Sequence, residues 1–130
     1  MRILLDTNAL IWLQNTSSGG LLGEKAKEQI INAEAVYASS VSILEINIKA
    51  MLGKLEAPET LLEDLVVAGI KDLSFTTEHA EAVKQFPALT KHDPFDRMLL
   101  AQANTEGLSF LTADNILINQ GLTFVVDARK

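Results

Sequence analysis

Four carboxylates, spread along the chain, are the side chains with most to offer chemically: Asp6, Glu45, Asp96 and Asp114. Asp6 ends the apolar run Ile3-Leu4-Leu5 and is followed by Thr7-Asn8. Asp114 closes a second run, Leu108 to Leu111, through Thr112-Ala113. A buried strand that runs into a carboxylate sets that group at the carboxyl edge of a parallel sheet, where open α/β folds form their ligand crevices. Both residues also fit a plainer use, as helix caps, a role that Asp, Thr and Asn all fill well.

Asp96 presents the same choice. Asp93-Pro94-Phe95-Asp96 reads as N-cap, first-turn proline and a third-position acid favoured by the helix dipole. Helical phase, at about 100° per residue, nevertheless sets Asp96 between Leu100 and Ala103 on the apolar arc, where an unpaired carboxylate is costly. Glu45 lies beside the stripe of Val41, Ile48 and Leu52, just over a turn beyond a strand end. Its plainer use is an i, i+4 pair with Lys49. All four acids can therefore point to one end of a sheet, where like charges repel strongly unless cations intervene. Oxygen donors without cysteine suit hard ions, Mg²⁺ or Mn²⁺, and such clusters support metal-assisted phosphoryl transfer.

The elements that must position these groups alternate along the chain. After the first strand a helix begins near Ala9, and 15–20 (NTSSGG) reads as a loop. Helices are predicted over 23–32, 41–52, 59–68, 77–85, 93–106 and 115–119, several closed by glycine. Strands are predicted over 35–38, 73–75, 108–111 and 123–126. Short β runs alternating with helices imply a parallel sheet covered on both faces. No repeat, linker or low-complexity stretch interrupts the 130 residues, so a single domain over 1–130 is expected.

Composition narrows the class. Apolar residues make up 48% and aromatics 5%, which predicts an aliphatic core and argues against disorder. The absence of cysteine excludes disulfides and thiolate–zinc sites. No secretory leader or membrane-length apolar run is visible, so the expectation is a soluble cytoplasmic protein without a membrane partner. A net charge of −6 has the wrong sign for phosphate binding unless clustered acids hold divalent cations; a basic partner is an equal explanation.

Together the segments 5–13 (LDTNALIWL), 42–55 (SILEINIKAMLGKL), 92–103 (HDPFDRMLLAQA) and 110–114 (FLTAD) resemble the PIN-domain ribonucleases, in particular the VapC-type toxins of bacterial toxin–antitoxin pairs. The resemblance covers nearly the whole chain, and HDPFDR followed by TAD is its most specific part. It implies a three-layer α/β fold with a five-stranded parallel sheet in the order 3-2-1-4-5. It also implies that Asp6, Glu45 and Asp96 form the main acidic site and that Asp114 contributes to a second ion. Asn8 and Thr112 fall at positions that would orient ligands or water. Arg97 is open to phosphate contact or a surface ion pair, while His92 and His79 read as helix-entry or packing residues.

The activity implied is Mg²⁺-dependent (alternatively Mn²⁺-dependent) cleavage of a structured RNA, tRNA or rRNA, leaving 3′-hydroxyl and 5′-phosphate ends and inhibiting translation. The partners implied are a small VapB-like antitoxin, whose basic tail would enter the carboxylates, and a second copy of the chain. Ile43 and Ile46 are candidates for that dimer contact, or else a second buried face of their helix. Two rival classes are a PIN nuclease acting on DNA and a Mg²⁺ phosphatase-like domain with Asp6 as nucleophile. The second lacks the further Asp such phosphatases carry two residues on, where this chain has Asn8. A catalytically idle binding module is a third rival, against which the intact acid set stands.

Overall fold

The structure, a computed structural model, describes residues 1–14 and 21–130. The loop expected at 15–20 lies outside the described residues. Five strands form one parallel sheet in the order β3-β2-β1-β4-β5: β1 Arg2–Leu5, β2 Ala35–Ser39, β3 Lys71–Leu73, β4 Ser109–Thr112 and β5 Val125–Asp127. The helices are α1 Thr7–Gln14, α2 Glu24–Asn32, α3 Ser40–Met51, α4 Leu61–Val67, α5 Thr77–Ala82, α6 Pro94–Glu106 and α7 Asn115–Ile118.

Alternation along the central strands divides the interior in two. Ile3, Leu5 and Leu111 face one side with Leu10, Ala26, Ile46 and Leu65, while Leu4 and Phe110 face the other with Val41, Leu99, Leu100 and Leu117. Helices therefore cover both faces, as a parallel sheet requires to bury its two apolar surfaces. The strand order puts β1 beside β4, with Leu5 paired to Leu111, and the pairing continues past both strand ends as Asp6 N donates to Leu111 O at 3.0 Å. That brings residues 6 and 112–114 to one edge at the switch point of the sheet.

The differences from the sequence reading have local causes. The third strand lies at Lys71–Leu73 rather than 73–75 because an edge strand need not be apolar, and Lys71 and Asp72 are exposed. Phe75, which suggested the later register, packs into the second apolar cluster from beyond the ladder, its N–H donating to Ser40 Oγ at 3.0 Å. The fifth strand likewise begins at Val125, after Phe124 O has accepted from Phe110 N at 2.8 Å. The first helix starts at Thr7, because Asp6 caps it. Helix α5 is capped by Thr76 rather than Thr77, and 83–85 tighten into a 3₁₀ turn.

In α3 the buried arc is Val41, Ser42, Glu45 and Ile46; Ile48 and Leu52 are exposed. Polar residues occupy part of the inward face there, so apolar periodicity misplaced it. Ile46 belongs to the core, which removes it from any dimer contact, and Ile43 is only partly buried against the same cluster.

Candidate metal centre

Asp6 leaves β1 buried, 4% exposed, and both its oxygens are in use. Oδ1 accepts from Ala9 N at 2.7 Å, capping α1, and Oδ2 accepts from Thr112 Oγ1 at 2.5 Å. The cap and the edge-facing carboxylate are thus one residue doing both. Burial pushes Asp6 up to about 6, against hydrogen bonds from Thr112, Ala9 and Ala113 that favour the ion; repulsion from Glu45 adds to the rise.

Glu45 is buried on α3. Thr7 Oγ1 donates to its Oε1 and Lys49 Nζ to its Oε2, each at 2.7 Å, and the Thr7 oxygen also lies 3.0 Å from Ser42 Oγ. The i, i+4 pair with Lys49 is therefore real, and it sits at the rim of the acidic group. The Lys49 ammonium is raised first by its hydrogen bond to Glu45, with further contributions from the charges of Asp93 and Asp96.

Asp96 lies in the first turn of α6, where Asp93 accepts from Phe95 N at 2.8 Å and Pro94 opens the helix. Helix α6 is fixed at its far end by Gly107, with φ 67° at the C-cap, and along its length by Gln102, whose amide donates to Ser74 O at 3.1 Å. Asp96 is pushed up to about 7, first by burial and then by the charges of Asp93, Asp114 and Asp6, with His92 opposing. Asp114 divides its oxygens: Oδ1 caps α7 by accepting from Ile116 N and Leu117 N at 2.8 and 3.3 Å. Its Oδ2 lies 3.2 Å from His92 Nε2, which is also 3.1 Å from Asp96 Oδ2.

Thr112 is the hinge between the two strand-end acids. Its hydroxyl donates to Asp6 and accepts from Asp114 N at 3.1 Å, consistent with a part in orienting them. Asn8 is exposed on the first turn of α1, so the neighbouring Thr7, which the sequence reading passed over, is the residue that reaches a carboxylate. Arg97 makes no ion pair among the described residues, and its Nε is buried without a hydrogen-bond partner there.

His79 is a packing residue. Its Nδ1 accepts from Thr76 N at 3.0 Å and its Nε2 lies 2.8 Å from Glu106 Oε1. His92, read from sequence as a helix-entry or packing residue, does stand at the entry of α6, one residue before its Asp93 cap, and is also half-buried among the carboxylates. Its signal was present four positions before Asp96, but the contact with Asp114 depends on how β4 delivers that residue.

The arrangement is a file of like charges in which Glu45 raises Asp6, and Asp6 and Asp114 raise Asp96. Among the described residues, the Lys49 ammonium pairs with it at one end, and the His92 imidazole lies against Asp96 and Asp114 at the other. A divalent cation fits such a donor set, since carboxylate oxygens are its preferred ligands and its charge would relieve their repulsion.

The fold and site together are a parallel α/β sheet in this order with carboxylates gathered at its switch point. The chain belongs to the PIN domain family, whose model matches residues 3–121. No curated protein sequence matches it. Among solved structures, VapBC-1 from nontypeable Haemophilus influenzae is similar over 100% of both chains, with a TM-score of 0.68 and 18% identity. VapBC2 from Rickettsia felis, bound to a promoter DNA fragment, has a TM-score of 0.66 at 14% identity, covering 97% of this chain and 96% of that one. Mycobacterium tuberculosis VapC20, described as a sarcin–ricin loop cleaving toxin, has a TM-score of 0.62 at 15% identity, covering 96% and 99%. At these identities the likeness is one of fold.

Proposed function

We propose that residues 1–130 form one PIN domain acting as a divalent-metal-dependent endoribonuclease toxin, with Asp6, Glu45, Asp96 and Asp114 as its acidic centre. The observation that carries this reading is the convergence of carboxylates from β1, α3, α6 and the end of β4 in a chain of this family. The toxin–antitoxin complexes among the similar folds support a toxin of this type, and the sarcin–ricin loop cleaving toxin among them supports RNA as the substrate.

Mg²⁺, with Mn²⁺ as the alternative, is the ion these oxygens suit; when bound, it would lower the pKa of water and offset charge on the phosphodiester. Asp6, Glu45, Asp96 and Asp114 would hold it at the sheet edge. Thr112 keeps the first and last of these in register, and Thr7 turns Glu45 toward the same edge. Lys49, paired with Glu45 and exposed at the rim, would offer a positive charge to an incoming RNA phosphate.

The partner in this reading is a small VapB-like antitoxin that silences the site by setting a basic side chain among the carboxylates. Net charge −6 suits such a partner. An apolar cleft of about 290 Å³ lined by Leu10, Ile11, Ile46, Leu55 and Leu61 offers it a seat. A homodimer would cover the exposed stripe Leu44, Ile48 and Met51 of α3.

Induction of the chain in bacteria, wild type against Asp6→Asn, with sequencing of new 5′-phosphate RNA ends, tests the proposal. Discrete ends in tRNA or rRNA that vanish in the variant are expected. Growth arrest without new RNA ends would overturn the ribonuclease reading.

A further inference from the structure

Three ligand-type atoms converge at one end of the acidic file: His92 Nε2, Asp96 Oδ2 and Asp114 Oδ2, all within 4.8 Å of one another. The nitrogen is 3.1 Å from one oxygen and 3.2 Å from the other. A single N–H can point well at only one acceptor, so two carboxylate oxygens at nearly equal distance leave one poorly served. The same spacing is that of adjacent ligands around one ion: octahedral bonds of about 2.1 Å put neighbouring donors about 3.0 Å apart.

The surroundings fix this convergence. Asp114 spends Oδ1 on the cap of α7, which aims Oδ2 at the imidazole. Asp96 is held in the first turn of α6, and the His92 backbone is anchored by its N–H to Leu89 O at 2.9 Å. Each donor therefore comes from a separately anchored piece of backbone.

Building on the metal dependence proposed above, we propose that His92 Nε2 is a direct ligand, beside Asp96 and Asp114, of a divalent ion, and that it makes this position selective for a first-row transition ion over Mg²⁺. Imidazole nitrogen is a donor that transition ions accept readily, whereas Mg²⁺ is held by oxygen. The Asp6–Glu45 end of the centre offers oxygen alone, so the two ends differ in what they retain. As a ligand through Nε2, His92 carries its ring proton on Nδ1.

The chain has only two histidines, which makes the test clean. His79 has both ring nitrogens engaged, and its partner Glu106 lies ten residues along α6 from Asp96, about 15 Å away at the helical rise. Mn²⁺ added to the purified chain, without RNA, is read by pulsed electron paramagnetic resonance for coupling to ¹⁴N. Coupling is expected in the wild type and in His79→Gln, and is lost in His92→Gln. Loss of even an outer partner of a metal site costs about 10–100-fold in affinity, so His92→Gln should weaken Mn²⁺ by at least about tenfold and Mg²⁺ far less.

Should His92→Gln fail to fold by circular dichroism, ¹⁵N-labelled histidine in the His79→Gln chain decides the matter, because the label moves the coupling frequency only if His92 is bound. Mn²⁺ bound without nitrogen coupling, or coupling that persists in folded His92→Gln, overturns the ligand role and leaves the metal-dependent nuclease standing. Absence of any Mn²⁺ binding overturns both.

Discussion

Replacing Asp6 by Asn should stabilise the metal-free protein at neutral pH, although it removes a residue of the proposed centre. The carboxyl group rises from 3.8 to about 6 on folding, chiefly through burial. Between those values the native state binds more proton than the unfolded chain, so stability falls as pH rises through the window and the loss is complete above it. At about 1.4 kcal/mol per pH unit the charge costs about 3 kcal/mol at pH 8. Asp96, pushed up to about 7, extends the decline by a further unit, and part of its rise is repulsion from Asp6 itself. Asparagine keeps an oxygen for Ala9 N, and its amide can donate to the Thr112 hydroxyl in place of the bond it removes.

Urea titrations in chelator at pH 4, 6 and 8, followed by the half-buried single Trp12, measure this directly. The wild type should lose several kcal/mol from pH 4 to pH 8. Asp6→Asn should match it within about 0.5 kcal/mol at pH 4 and exceed it by about 2–3 kcal/mol at pH 8. Divalent ion at about 1,000 times its Kd should reverse the order, since it adds about 4.1 kcal/mol to the protein that binds it. Wild-type stability that is flat between pH 4 and 8, or a variant destabilised at both ends, would refute the reasoning.

Two further substitutions separate the centre from its scaffold. Thr112→Val removes the donor to Asp6 Oδ2 and the acceptor for Asp114 N, so unfolding in urea should show a loss of about 1–3 kcal/mol, with Mg²⁺ affinity reduced as well. His79→Gln breaks the link from α5 to Glu106 while glutamine at the third helical position can still accept from Thr76 N, and it should cost about 1–2 kcal/mol in the same assay while leaving divalent-ion affinity unchanged by calorimetry.

How far the sequence disclosed this arrangement depended on where each residue sat. Asp6 and Asp114 were legible because each ends an apolar run, and strand ends are where a parallel sheet exposes its edge. Asp96 was legible from phase alone, as an acid on the inward arc of α6. Thr7 and Ser42 were not, since a short hydroxyl beside a helix start has the same appearance whether it caps or reaches across to Glu45. His92 escaped because its meeting with Asp114 spans 22 positions and depends on tertiary placement. The face of α3 was misjudged for a related reason: Ser42 and Glu45 take inward positions that an apolar pattern assigns to Ile48 and Leu52. Edge strand β3 was placed two residues late and β5 was begun two residues early because their pairing leaves little mark on hydropathy.

The most direct test of the acidic centre is cleavage in vitro: purified chain and Asp96→Asn, each incubated with total bacterial RNA in chelator and then across a titration of Mg²⁺ and Mn²⁺. Folding is checked beforehand by circular dichroism, and products are mapped by their 5′-phosphate ends. The account predicts defined cuts by the wild type that appear only with divalent ion and are lost in the folded variant. Cleavage that persists in chelator, or that survives Asp96→Asn unchanged, would contradict it.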